Sequence, residues 1–246
     1  MRKDRFSEHS RAYAAFRPTY SRELYQFLLG LVESRQLAWD VGCGNGQVAF
    51  DLAAYFDRVI ATDMSAKQLQ NARQAANLFY QVAPAEESGL DTGVADLITV
   101  GQALHWFDTE RFFQEVKRVA KPHAVVAAWG YGLLHIHPQI DTRVHNFYTE
   151  KVGSYWDAER RWVDEAYQRI RFPFAEIQAP SFSLHFEWTR EELFGYLSTW
   201  SAVRKYMAAH QQNPVEQLMQ ELDDYWHEEK MPVRFPVFMR VGRVLK

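Results

Sequence analysis

The chain has 246 residues, 47 % of them apolar and 24 % charged, with a net charge of −3 and a single cysteine. That is enough for one elaborated α/β domain, and a slight negative charge without any block of Lys or Arg argues against a nucleic-acid binder that works by neutralising phosphates. One cysteine excludes an internal disulfide, no apolar run approaches the roughly 20 residues that span a bilayer, and Met1-Arg2-Lys3-Asp4-Arg5 leads into no leader-like apolar stretch. The expectation is a cytoplasmic protein that does not engage a membrane.

The segment Phe6 to Tyr20 mixes aromatic and basic residues, and Pro18 favours an extended residue before it. Ser21 suits the N-cap of a helix with Leu24, Phe27, Leu28 and Leu31 on one side. A strand from Leu37 to Val41 follows and runs into Gly42, Gly44 and Gly46. Val48, Leu52, Tyr55 and Phe56 then repeat at helical spacing. Next come a strand from Arg58 to Thr62 ending on Asp63, a helix capped by Ser65 with Leu69, Ala72 and Ala76, and a short strand from Phe79 to Val82. Ala95 to Val100 is a fourth strand, Asp108 or Thr109 caps the next helix, Lys121-Pro122 breaks it, and Ala124 to Trp129 is a fifth strand. Alternation of this kind predicts a Rossmann-like, doubly wound α/β sheet, parallel in this part, with helices on both faces.

The pattern changes after Gly132. Pro138 to Arg171 reads as irregular helix rich in aromatics, and Phe182 to Phe186 alternates like a strand. Thr189 with Glu192 resembles a capping box, Pro214 sits at a helix start, and Val233 to Val244 returns as a last strand.

Strand, glycine turn and helix make a ligand cradle, because glycine takes positive φ and the first helical N–H groups lack partners inside the helix. The third glycine of a dinucleotide fingerprint is missing, since position 47 is Gln47. A nucleoside-type ligand is expected above this turn. Asp63, at the carboxyl end of the second strand, suits both ribose hydroxyls, the alternative being a helix N-cap. Met64 suits either an adenine ring or ordinary packing, and Glu86, beside Ala85, either the adenine edge or a solvated loop. Cys43 adjoins a helix start that would lower its pKa, although its backbone matters more in such a cradle. His135, His137 and His145 lack the further ligands of a closed metal site, so no metal is expected.

The run Asp40-Val41-Gly42-Cys43-Gly44-Asn45-Gly46, the Asp63-Met64 pair, Ala85-Glu86 and the stretch from Gln102 to Trp106 together resemble class I S-adenosylmethionine-dependent methyltransferases. Tyr13-Ala14-Ala15-Phe16-Arg17-Pro18, His105-Trp106-Phe107-Asp108, the stretch from Tyr196 to Ser201 and that from Phe235 to Arg243 resemble the trans-aconitate methyltransferase-like (methyltransferase type 11) group. The resemblance implies a seven-stranded sheet whose last strand is antiparallel, in one domain. Residues 1–36 would cover the cofactor and 37–132 would form the core. Residues 133–231 would form a helical lid with one core strand near 181–187, and 232–246 the final strand. It implies S-adenosylmethionine held by Tyr13, Arg17, Gly42, Cys43, Gly44, Gly46, Asp63, Met64, Ala85, Glu86 and Gln102, with Arg17 facing the methionine carboxylate. His105 and Gln102 are the candidate catalytic residues, a packed histidine being the other reading of His105. Trp106, Trp129, Tyr196 and Trp200 would line the substrate site.

The expected reaction is methyl transfer to a small molecule, with a carboxylate as the first choice because it is already ionised at pH 7 and needs no base. N- or O-methylation of another metabolite, or a non-catalytic S-adenosylmethionine-binding regulator, are the alternatives. The protein is expected to be a monomer or weak homodimer.

Overall fold

The structure, a computed structural model, describes residues 18–246. Helix α1 (Arg22–Leu31) starts at Ser21, whose hydroxyl accepts from the Leu24 N–H at 3.4 Å. Then follow β1 (Leu37–Val41), α2 (Gln47–Leu52), β2 (Arg58–Asp63), α3 (Ala66–Gln70), β3 (Leu78–Val82), β4 (Ala95–Gly101), α4 (Thr109–Val119) and β5 (Ala120–Tyr131). β1 is central and pairs in parallel with β2 and β4, and these pair in parallel with β3 and β5. The order therefore reverses at β1, and the space beyond the carboxyl ends of β1 and β4 is where an open α/β sheet takes its ligand.

Side chains alternate across this sheet as strand geometry requires. Trp39, Val41, Ile98, Val100, Val126 and Ala128 pack on one face with Phe112 and Val116 of α4. Ala38, Val59, Leu97, Val125, Ala127 and Trp129 pack on the other with Leu24 and Leu28 of α1 and Leu52 of α2. Each large buried side chain contributes roughly 1.5–3 kcal/mol of hydrophobic stabilisation.

The sheet is completed by β6 (Ala175–Ile177), β7 (Phe182–Trp188) and β8 (Met231–Arg243). β8 runs antiparallel to β5, with Val237 to Arg243 opposite Tyr131 to Val125. Ala175–Ile177 lies opposite Arg243 to Val241, and Phe182–Trp188 opposite Val237 to Met231. The eight strands thus fill seven positions, with the outer one interrupted at 178–181. Pro180 falls in that gap and has no N–H to give a ladder.

Local details differ from the sequence reading. α2 ends at Leu52, and Phe56 reaches the core from a following turn. α3 is one short turn that stops at Gln70, so Ala76 is not helical. Lys121-Pro122 does not separate α4 from the fifth strand. β5 starts directly at Ala120 and accommodates the proline where the pairing with β4 slips between Ala95 and Leu97, with His123 at φ +63°.

Residues 133–230 build a second core. α5 (Pro138–Asn146), α7 (Arg190–Ser198), α8 (Ser201–His210) and α9 (Pro214–Glu221) carry it, whereas α6 (Arg160–Asp164) turns its buried Val163 into the first core. Leu134, Ile140, Val144, Leu193, Leu197 and Leu218 pack there with Phe235 of β8. Thr189 and Glu192 form the expected capping box for α7, and Asn213 caps α9 ahead of Pro214. Among the described residues no helix is long and apolar enough to cross a membrane.

Candidate active site

All three glycines of the turn between β1 and α2 have positive φ: +64° at Gly42, +54° at Gly44 and +76° at Gly46. Their surroundings differ. A Cβ at Gly42 would sit 2.8 Å from Ala103 Cβ, and one at Gly46 would sit 2.0 Å from the Tyr80 hydroxyl. A Cβ at Gly44 would meet nothing within 4 Å, so it would project into open space. Gly42 and Gly46 are therefore glycines because protein packs on them, and Gly44 is where a ligand can lie on bare backbone.

Two carboxylates flank the turn, and one of them holds it. Asp63 Oδ2 accepts from the Gly44 N–H and Oδ1 from the Ser65 N–H, both at 2.8 Å. Ser65 is the side-chain cap of α3, accepting from Gln68, so Asp63 is not needed for capping. Asp40, on β1, is 1 % exposed. Its Oδ1 accepts from the Thr99 hydroxyl at 2.8 Å, while Oδ2 has no partner among the described residues. Burial raises its pKa from the usual carboxylate value of 3.8 to about 7, against the lowering effect of the Thr99 hydroxyl and the Ala49 N–H.

A cavity of about 630 Å³ begins at this turn, within the size range of small-molecule sites. Its wall includes Asp40, Gly42, Cys43, Gly44, Asp63, Met64, Ala85 and Glu86. Met64 is 52 % exposed at the rim, so packing does not account for it. The Glu86 carboxylate accepts from the Asp108 N–H at 2.7 Å, which ties its loop to the start of α4.

The carboxyl end of β4 supplies the far wall. Gln102 has φ +54°, and its Oε1 accepts from the Tyr131 N–H at 2.8 Å. His105 is buried and its Nδ1 lies 3.1 Å from the Tyr167 hydroxyl. Tyr167 is held in place because Arg240 donates to the carbonyls of Tyr167 and Ile170, each at 2.9 Å. Trp106, Tyr196 and Trp200 also line the cavity, together with Trp156 and Arg160 from the lid.

The structure thus brings Gly42, Cys43, Gly44, Asp63, Met64, Ala85, Glu86, Gln102, His105, Trp106, Tyr196 and Trp200 to one cavity. Gly46 is buried under Tyr80, behind the wall. Trp129 does not line the site: it is fully buried on the α1 side of the sheet, 5.4 Å edge-on behind Tyr20, because strand alternation turns it away. The Cys43 thiol pKa is raised rather than lowered, since burial and the nearby Asp40 and Asp63 outweigh the helix start. Tyr13 and Arg17 lie outside the described residues. His135 pairs with Asp141 at 3.1 Å and His137 caps α5.

Trp156 and Arg160 are not among the site residues that the sequence points to. Nothing local marks them, because they reach the cavity through the packing of the lid.

A methyltransferase domain family model matches residues 39–128. A Dictyostelium discoideum protein named as a methyltransferase is 34 % identical over 249 residues, spanning 98 % of this chain and 95 % of its own length. A Saccharomyces cerevisiae protein named as an S-adenosylmethionine-dependent methyltransferase is 29 % identical over 128 residues, 48 % of this chain and 44 % of its own. Among solved structures, a type II methyltransferase from Anaeromyxobacter dehalogenans superposes with a TM-score of 0.87 at 38 % identity, covering 94 % of this chain and 99 % of that one. A Bacillus halodurans methyltransferase structure, at 17 % identity and a TM-score of 0.54 over 92 % of this chain and all of that one, shares the fold.

Proposed function

Because this chain belongs to the class I S-adenosylmethionine-dependent methyltransferases, we propose that its acceptor is a small molecule and that the methyl group goes to a carboxylate oxygen. The observation that carries this reading is a single cavity running from the glycine turn to aromatic side chains of the lid. It has room for a nucleoside-type ligand over bare backbone at one end and for an acceptor at the other.

The residues fit the cofactor on two grounds. The space over Gly44 is open, and the buried Asp40 Oδ2 has no partner where a cationic ammonium would complete it. Bound there, S-adenosylmethionine would supply a methyl group on a sulfonium and leave as S-adenosylhomocysteine. In this reading the backbone of Gly42, Cys43 and Gly44 lies against the methionine part. Asp63, which accepts from the Gly44 and Ser65 N–H groups, stands at the carboxyl end of β2 beside the turn and accepts from the ribose hydroxyls. Met64, Ala85 and Glu86 surround the adenine.

At the acceptor end, Gln102 Oε1 is committed to β5, which leaves its Nε2 as the donor available to orient an acceptor oxygen. His105 has its Nδ1 on Tyr167, which fixes the ring plane. For a carboxylate acceptor neither residue has to remove a proton. Their work is to place one oxygen in line with the methyl group and keep water out, and good orientation can reach effective molarities of about 10⁵–10⁸ M. The reading includes a monomer or weak homodimer in the cytoplasm without nucleic-acid or membrane partners.

Calorimetry with S-adenosylhomocysteine and NAD tests the cofactor site, with micromolar-range binding expected for the first only. Tighter NAD binding would contradict the assignment. A screen of small acids, amines and phenols with labelled methyl donor tests the acceptor. Base-stable products from amines alone would overturn the carboxylate reading, and binding without turnover across the panel would favour a non-catalytic role.

A further inference from the structure

Arg160 stands at the lid end of the cavity with its side chain 22 % exposed. Its Nε donates to the Tyr148 hydroxyl at 2.8 Å and to Asp164 Oδ1 at 3.3 Å, and the Tyr148 hydroxyl donates to Asp164 at 2.7 Å. The guanidinium carbon lies 5.0 Å from the Trp156 ring centre and 5.4 Å from that of Tyr148. One edge of the guanidinium is therefore fixed by partners and the group is held against aromatic rings. The two terminal amino groups have no hydrogen bond to any described residue.

A guanidinium on a cavity wall with two unused donor groups needs an acceptor, from a neighbouring side chain or from a ligand. The nearby acids do not meet that need. Asp157 pairs with Lys205 at 2.8 Å, Asp164 is already engaged at Nε, and Glu159 forms no ion pair among the described residues although it lines the same wall. A planar fork matches a carboxylate with two parallel bonds. Beside it, Trp156 and Trp200 stand with ring centres 5.6 Å apart, and Tyr196 lies 5.9 Å from Trp200, all three on the cavity wall. Such a wall suits a flat apolar body.

We propose that Arg160 is the anion-binding residue of the acceptor pocket and that the acceptor is an acid whose carboxylate pairs with Arg160 while a planar, apolar body packs on Trp156, Tyr196 and Trp200. This rests on the methyl-transfer reading and narrows its substrate class.

The test uses the full chain, titrated with benzoate, trans-cinnamate and indole-3-acetate and with the primary amide of each, followed by calorimetry with and without saturating S-adenosylhomocysteine. At least one acid should bind, with its amide at least tenfold weaker. Arg160→Gln should weaken that acid at least tenfold and leave its amide and S-adenosylhomocysteine within twofold. Arg160→Lys, which keeps the charge without the fork, should fall between. If Arg160→Gln does not fold, the lysine variant decides, with a loss of at least threefold for the acid alone. Equal binding of acids and amides, no binding by any acid, or an arginine variant that binds the acid like the parent would overturn the proposal. Failure to bind S-adenosylhomocysteine would instead sink the methyl-transfer reading, and the titrations without it would still report on Arg160.

Discussion

Asp40→Asn should make the cofactor-free protein more stable at neutral pH while impairing the site. The folded-state pKa of Asp40 is raised to about 7 from 3.8, chiefly by burial. The unfolded chain therefore releases this proton near pH 3.8, whereas the folded chain keeps it until about pH 7. Between those values the unfolded state binds fewer protons, so stability falls as pH rises and levels off above about 7. At roughly 1.4 kcal/mol per pH unit, the burial of this ionised group costs about 4 kcal/mol at pH 8. Asparagine keeps an oxygen for the Thr99 hydroxyl but puts an amide where Oδ2 lacks a partner, at a cost of about 1–3 kcal/mol. The net expectation is a gain of about 1–3 kcal/mol at pH 8 that shrinks steadily toward pH 5. Urea denaturation of both proteins at pH 5, 6, 7 and 8 measures it. S-adenosylhomocysteine affinity at pH 8 should fall at least tenfold in the variant. A stability difference that does not change with pH, or one that favours the parent more as pH rises, would refute the reasoning.

Four further substitutions probe the same geometry. Asp63→Ala removes the acceptor for Gly44 and Ser65 N–H groups and should weaken S-adenosylhomocysteine at least tenfold by calorimetry; unchanged affinity would remove the ribose assignment. Gly44→Ala meets only the backbone cost of positive φ, about 1–2 kcal/mol, yet should abolish measurable cofactor binding. Gly46→Ala meets the Tyr80 hydroxyl as well and should lose about 2–4 kcal/mol in chemical denaturation; equal losses for the two alanines would contradict the division between ligand-facing and packed glycines. Trp129→Phe should cost about 1–2 kcal/mol, with no hydrogen bond lost because its Nε1 has none, and should leave cofactor affinity within twofold.

What could be read from the sequence was whatever local chemistry determines. The Gly42-to-Gly46 turn, Ser65 as cap, the Thr189–Glu192 capping box and Pro214 after its cap each depend on neighbours within a few residues, and they appear as expected. The place of Asp63 at a strand end is legible in the sequence, whereas its bonds from the Gly44 and Ser65 N–H groups exist only in the folded turn. The three-residue β6 carries no periodic signal of its own and exists because β8 offers it a ladder at Val241 to Arg243. The side of the sheet that Trp129 takes is not legible in the sequence, because an aromatic near the end of a strand points to either face until the register is known. Arg160 is hidden for a different reason. A cation in an irregular helical stretch reads as surface until the lid folds it against Trp156 and Tyr148.

β8 also bears on how the molecule is made. Its partners β5, β6 and β7 all leave the ribosome before it, and until Met231–Arg243 arrives β5 presents an open edge of apolar residues such as Val125, Ala127 and Trp129. Open edges of this kind are templates for pairing with other chains. The nascent protein therefore passes through a period in which the nucleoside-binding half can assemble while its sheet stays unsealed. Damage to β8 should thus show first as poor yield and aggregation during synthesis, and chaperone dependence would centre on these thirteen residues, far in sequence from the glycine turn.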